Sequence, residues 1–268
     1  LGICMILMSG LVWMKKRNIF IFSLVVIFGH NLLDLFNISG NLIWAIFHQL
    51  EFFSIGDSTT LVIAYPIFPW IGLMSLGYFF GYYFRIDFSP KKRIKLLQTL
   101  GLCFVGGFFL VRFLNSYGNS KPWTHYETFS QTLFSFMDPQ KYPPSLAYLL
   151  MTLGPVFILL ALLETSKKTL LSRILMVFGR VPFFFYILHI YFIHLFAMLV
   201  AEISGFGWRS MILKDPIWML PSKLEGFGFS TIIMLLLWIC FVIFMYPICK
   251  KFGNYKINNK KKKWLSYL

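Results

Sequence analysis

The chain has 268 residues, of which 58% are hydrophobic and 13% charged. A water-soluble domain of this size carries about 25% charged residues, so the composition excludes an ordinary soluble fold. The formal charge of +15 could fit a nucleic-acid binder, but its distribution excludes one: eighteen of the 25 Lys and Arg residues lie in four clusters bordering apolar blocks.

The first block, Leu1–Trp13, rises only about 20 Å as a helix, too short to cross a hydrocarbon core of about 30 Å. It is therefore expected to be part of a span whose beginning lies upstream. Six further spans are predicted at about 18–36, 60–84, 95–114, 144–163, 173–200 and 229–249, each near the length of about 20 apolar residues that a bilayer requires. The basic clusters Lys15–Arg17, Arg85–Lys95, Lys167–Arg173 and Lys250–Lys263 mark every second boundary. That is the positive-inside pattern, and it puts 37–59, 115–143 and 201–228 outside. The acids agree, because only Asp87 and Glu164 among the ten Asp and Glu fall in inside segments. The predicted fold is all-α: a polytopic transmembrane helical bundle, about six complete spans plus one partial N-terminal span. It forms a single membrane-embedded domain over 1–268 with a basic cytoplasmic tail at 250–268. That tail also suits anionic lipid headgroups.

The outside connections run about 20–29 residues and hold aromatic and Pro-rich pieces, so they are expected to be ordered, and long ordered loops tend to be functional. The four cysteines (Cys4, Cys103, Cys240, Cys249) lie in or beside apolar segments without CxxC spacing. Neither a disulfide framework nor a zinc site is implied, and no metal is expected.

Ionisable groups inside spans are costly and usually face a bundle interior or an aqueous cavity. His30 and Asp34 sit four apart on one helix face, where a carboxylate can orient an imidazole for general-base work; an interfacial polar pair that ends the helix is the plain alternative. Arg112 and Asn115, three apart at the outer end of another span, can hold an anionic or carbonyl group or pair with Asp34, or Arg112 can simply snorkel. Arg180, followed by Val181-Pro182, enters a span from the inside. It can contact cofactor phosphates or serve as one more anchor, and Pro182 predicts a kink or an altered first turn. His189 lies near mid-span, three residues after Tyr186; a mid-membrane His is either catalytic or an interhelical hydrogen bonder. His194 points about 140° away from it, a poor geometry for shared metal ligation. Lys141, Tyr142 and Ser145 lie where an outside loop re-enters the bilayer and could line a substrate mouth. His48, Glu51 and His125 are loop residues that spacing alone does not place. There is no phosphate-cradling Gly-rich loop, GxSxG elbow or HExxH motif. The residues by themselves reach an outward polar pocket with an inside Arg, and no reaction.

Several stretches together carry a resemblance: Gly29-His30-Asn31-Leu32-Leu33-Asp34, Tyr65-Pro66-Ile67-Phe68-Pro69-Trp70-Ile71-Gly72, Lys141-Tyr142-Pro143-Pro144-Ser145-Leu146, Met151-Thr152-Leu153-Gly154-Pro155 and Phe178-Gly179-Arg180-Val181-Pro182. They resemble the bacterial membrane proteins related to heparan-α-glucosaminide N-acetyltransferase. The resemblance implies acetyl transfer across the bacterial cytoplasmic (inner) membrane, from acetyl-CoA on the cytosolic side to an amino sugar or glycan acceptor on the other. On that reading Arg180 binds CoA phosphate. His30, Asp34, Arg112 and Asn115 form the outer site, Lys141 and Tyr142 line the acceptor mouth, and His189 is a further catalytic candidate. The family's active-site His belongs to an N-terminal region expected to precede this chain. That role is not carried over to His30, and the chain alone is expected to be inactive. A homo-oligomer is compatible with the sequence. The competing readings are an exporter of a polar glycan or lipid precursor that uses the same pocket without acyl chemistry, and a noncatalytic scaffold.

Overall fold

A computed structural model describes residues 1–36, 38–56, 59–165, 169–212 and 224–266. The chain divides into two compact units, Leu1–Ser166 and Lys167–Leu268.

The first unit opens with α1 (Gly2–Leu11) and α2 (Lys16–Gly29), and α2 runs on through a 3₁₀ turn at His30–Leu35. A short α3 (Leu42–Phe47) follows, capped by Asn41, whose side chain accepts from the Trp44 N–H at 3.0 Å. Such a cap satisfies one of the free donors of the first turn. Next comes a two-stranded antiparallel hairpin, β1 (Glu51–Ile55) and β2 (Thr59–Ile63), in register from Glu51 opposite Ile63 to Ile55 opposite Thr59. The unit is completed by α4 (Ile67–Phe80), α5 (Pro90–Leu114), α6 (Phe129–Phe136) and α7 (Leu146–Thr165).

Five helical stretches are long and apolar enough to cross a membrane: Lys16–Leu35, Pro90–Leu114, Leu146–Thr165, Pro182–Ile203 and Thr231–Asn258. The chain is a helical integral membrane protein. By length and composition the count among the described residues is five where six complete spans were predicted, because the run at 60–84 does not form one continuous helix of that length. That apolar run begins as strand β2, because Thr59, Thr60, Val62 and Ile63 are β-branched and suit a pleated surface. Two prolines then interrupt it. Phe68, just before Pro69, has non-helical backbone angles (φ −87°, ψ 133°), as the residue preceding a proline prefers. What remains is a 14-residue helix rising about 21 Å, prolonged by a 3₁₀ turn at Gly81–Phe84.

The seam of the first unit is the crossing of α5 with α7. A Cβ added at Gly101 would lie 2.5 Å from Ile158 Cγ1 and 3.0 Å from the Gly154 carbonyl oxygen. One added at Gly154 would lie 2.8 Å from Val105 Cγ2 and 3.0 Å from Val105 N. The two backbones touch only because both positions are glycine. In lipid, where helices gain nothing by hiding apolar surface from water, such small-residue contacts carry the association. Beside the seam, Ile27, Leu76, Phe108, Phe136, Ala147 and Leu150 form a buried core.

The second unit contains α8 (Leu170–Gly179), α9 (Pro182–Ile203) and α10 (Thr231–Asn258). The predicted span 173–200 is thus broken between α8 and α9. Pro182 occupies the first turn of α9, where its missing N–H costs nothing. Val181, Met245 and Cys249 form a buried core there, and Phe184 stacks on Phe252 at 3.9 Å between ring centroids. The predicted basic tail begins within α10, which reaches Asn258. Lys167, Lys168 and the stretch 213–223 of the predicted outer loop lie outside the described residues.

Candidate functional site

The first unit has two chemically different ends. One carries the start of α2, the start of α5 and the end of α7, and with them Lys16, Arg85, Arg93 and Glu164. The other carries the ends of α2 and α5, α3 and the long connection into α7.

At this second end the His30–Leu35 turn places three polar side chains, His30, Asn31 and Asp34, and His48 joins them from α3. Asp34 Oδ1 bonds His48 Nε2 at 2.8 Å, and Asp34 Oδ2 accepts from Asn31 Nδ2 at 2.7 Å. His48 reaches this carboxylate from the end of α3, with only 3% of its surface exposed. Its Nδ1 is buried and has no hydrogen-bond partner among the described residues. The indole of Trp44 meets its ring edge-on at 5.7 Å. A carboxylate bonded to one imidazole nitrogen fixes the ring and stabilises it when protonated, leaving the other nitrogen to exchange a proton.

His30 is placed differently. Its Nδ1 lies 2.8 Å from the Ile27 carbonyl oxygen and 3.2 Å from that of Val26, while Nε2 lies 3.0 Å from the Pro144 carbonyl oxygen. Both ring nitrogens thus meet backbone acceptors, and the ring braces the end of α2 against the segment entering α7. Asn31 adds a second brace by accepting from the Leu146 N–H at 2.9 Å. His30 and His48 stand 6.3 Å apart, centroid to centroid.

Arg112 and Asn115 close α5 and organise the loop that follows. The Arg112 guanidinium donates to the carbonyls of Phe136 (2.7 Å) and Ser135 (2.6 Å) and is 1% exposed. Its Nη1 has no partner among the described residues. Asn115 adopts a left-handed conformation (φ 49°), which Asn tolerates at a helix end. From there its side chain exchanges two 3.0 Å hydrogen bonds with the Trp123 backbone. Trp123 Nε1 in turn donates to the Arg112 carbonyl at 2.6 Å.

Lys141 and Tyr142 lie on the outer surface of the same end. Lys141 Nζ sits 5.1 Å from the Tyr142 ring centre, and the Tyr142 hydroxyl is 3.4 Å from that of Tyr65. Hydrogen bonding with Tyr65, and then with Lys141, lowers the Tyr142 phenol below its ordinary pKa. The bond to Tyr142 correspondingly raises Lys141. Tyr117, which donates to the Phe28 carbonyl, is shifted the other way, by burial first and then by the Asp34 charge.

Arg180 and His189 belong to the second unit. Arg180 is exposed at the α8–α9 break, and its carbonyl lies 3.4 Å from Lys256 Nζ. His189 stacks on Phe185 with rings 3° from parallel, and its Nδ1 is 3.2 Å from the Phe185 carbonyl oxygen. Of the residues singled out by sequence, the structure groups His30, Asp34, Arg112, Asn115, Lys141 and Tyr142 at one end of the first unit. The addition is His48, fourteen residues from its carboxylate, a separation that helical periodicity does not connect. Among the described residues no three His, Cys, Asp or Glu side chains converge as metal ligands would.

These features define a membrane-embedded helical protein with a buried imidazole paired to a half-buried carboxylate at one end. Residues 1–115 match the family model described as heparan-alpha-glucosaminide N-acetyltransferase, catalytic, and the likeness is that of this stretch, less than half of the chain. The matched stretch holds α1 to α5 and the whole Asp34–His48 pair. No curated protein and no solved structure matches the chain.

Proposed function

We propose that the chain serves a transmembrane acetyltransferase of the bacterial cytoplasmic membrane, moving acetyl from cytosolic acetyl-CoA to an extracytoplasmic amino sugar or glycan. The basic ends and the C-terminal tail face the cytosol. The observation that carries this reading is the Asp34–His48 pair, with its imidazole buried, inside the segment matched to an acetyltransferase family.

Acyl transfer to an amine or hydroxyl needs a base at the attacking atom. In this proposal His48 Nδ1 takes the acceptor's proton as its nitrogen or oxygen bonds the thioester carbonyl carbon. The carbon–sulfur bond then breaks, and the proton returns to the departing CoA thiolate. Asp34 holds the ring and balances its transient charge, and Asn31 fixes Asp34. His30 positions the pair through its contacts to α2 and Pro144. Arg112 and Asn115 hold the loop that, with Lys141 and Tyr142, borders the acceptor side. Arg180 is assigned to one phosphate of the donor, leaving the others to other cations, and His189 to a supporting catalytic role. Exclusion of water by the bundle protects the thioester.

The test is transfer of labelled acetyl from acetyl-CoA to glucosamine by the full-length protein in sealed vesicles. His48→Ala and Asp34→Asn are expected to lower the rate by about 10² or more, the usual weight of a general base, with the protein still folded and inserted. Undiminished transfer in both variants would remove the pair from the mechanism. Vectorial movement of a glycan without any use of acetyl-CoA would establish an exporter instead.

A further inference from the structure

At the opposite, basic end of the first unit a cavity of about 330 Å³ opens between the first turn of α2 and the end of α4. Its walls are Tyr78, Phe79, Tyr82 and Ile19, and its charged groups are Lys16 and Arg85. The two cations converge on one ring: Lys16 Nζ lies 4.8 Å from the Tyr82 centroid and Arg85 Cζ 5.9 Å from it. Their mutual repulsion is relieved only in part. Asp87 pairs with Arg85 at 3.1 Å, but both side chains are open to solvent, at 59% and 71% exposure, and such a pair is weak and exchangeable. No carboxylate lines the cavity itself.

We infer that this cavity is a binding site for a phosphate ester, whose oxygens bridge Lys16 and Arg85 while its apolar or aromatic body lies against Tyr78, Phe79 and Tyr82. Guanidinium and ammonium groups together bind phosphate more strongly than either binds a neutral acceptor. The aromatic walls accept either a flat base or an acyl chain. Two sources share this chemistry: a soluble nucleotide, such as the adenosine phosphate end of a thioester donor, and an anionic phospholipid headgroup. The nucleotide case rests on the acetyl-transfer reading above; the lipid case does not.

Gly81 provides a clean way to block the site. It lines the cavity, its φ is −52°, and a Cβ there would meet nothing within 4 Å. Gly81→Leu therefore adds bulk beside the cavity without a backbone clash, and it leaves both cations in place.

The experiment uses the full chain in phosphatidylcholine nanodiscs, with binding of adenosine 3′,5′-bisphosphate measured by calorimetry. In parallel, discs containing phosphatidylglycerol are examined by native mass spectrometry for retained lipid. If the source is a nucleotide, the wild-type chain binds the probe, and Lys16→Gln and Arg85→Gln each weaken it about tenfold, as expected for a lost charge-assisted bond. Gly81→Leu abolishes it. If the source is lipid, phosphatidylglycerol is retained by wild type and lost from the Lys16→Gln/Arg85→Gln double variant. Probe binding and lipid retention that are both indifferent to these substitutions would overturn the site. So would loss of probe binding in Arg180→Gln with the cavity variants unaffected. Acetyl transfer by the full-length protein in the same discs separates the two claims. Transfer with substitution-indifferent binding sinks the cavity alone; cavity-dependent phosphatidylglycerol retention without transfer sinks the enzymatic reading alone.

Discussion

The two ends of the first unit handle the same residue type in opposite ways. At the basic end Arg85 stands in solvent beside Asp87, whereas at the polar end Arg112 is almost wholly enclosed and bonded to two carbonyls. An exposed cation is solvated by water and contributes little to stability. A buried one must be satisfied by the fold, and the fold then depends on it. The basic end is thus free to exchange partners, while the polar end is fixed in one arrangement.

The sharpest way to break that contrast is to remove both arginines. Arg112→Met should destabilise the protein by about 3 kcal/mol, because two buried carbonyls lose their donor; Arg85→Gln should stay within about 0.5 kcal/mol. Unfolding in a denaturing-detergent series would measure both, and equal effects would erase the distinction. Between the ends, Gly101→Val should cost about 2 kcal/mol by overpacking against Ile158 and the α7 backbone. Gly106→Ala, on the same helix with open space around its Cβ, should be neutral or slightly stabilising. His30→Phe should cost about 1 to 2 kcal/mol, since the ring volume is kept while the carbonyl contacts are lost.

The smallest effects are titrations. Tyr142 should ionise below the ordinary phenol range and Tyr117 above it, read as tyrosinate absorbance in wild type against Tyr142→Phe and Tyr117→Phe. The signs differ. Tyr117, raised in the folded state, favours folding below the ordinary phenol pKa and loses that contribution as pH rises through its folded value. Tyr142, lowered, favours folding above the ordinary value and loses its contribution as pH falls through the folded one. Tyr142 is too exposed for its part to be large. Identical titration of the two phenols would show that Asp34 and burial do not act on Tyr117 as described.

Hydropathy and charge made the helical membrane fold legible, since a bilayer imposes length and polarity directly on sequence. Within the run at 60–84 the helix is shorter than the apolar content suggests, because Pro66 and Pro69 and the β-branched start divide it. Asp34 stood out as an intramembrane acid, but its partner did not. His30 was the expected neighbour by helical spacing, yet the chain leaves helical geometry at His30–Leu35. The carboxylate therefore meets His48, brought back by α3. A pairing made by a chain reversal leaves no period to read. The α5–α7 contact is a similar case: Gly101 and Gly154 were visible, but only the crossing shows that they face each other.

That contact also constrains how the protein can be divided. The family match ends one residue beyond α5, yet α5 is seated against α7, and Pro144 and Leu146 hold the His30–Asn31 corner. A cut at residue 115 would strip one side of the seam and two anchors of the polar cluster. Chimaeras that exchange α5 with a homologue will need to carry its α7 as well. The two helices form one inheritable piece, whatever boundary sequence similarity draws between them.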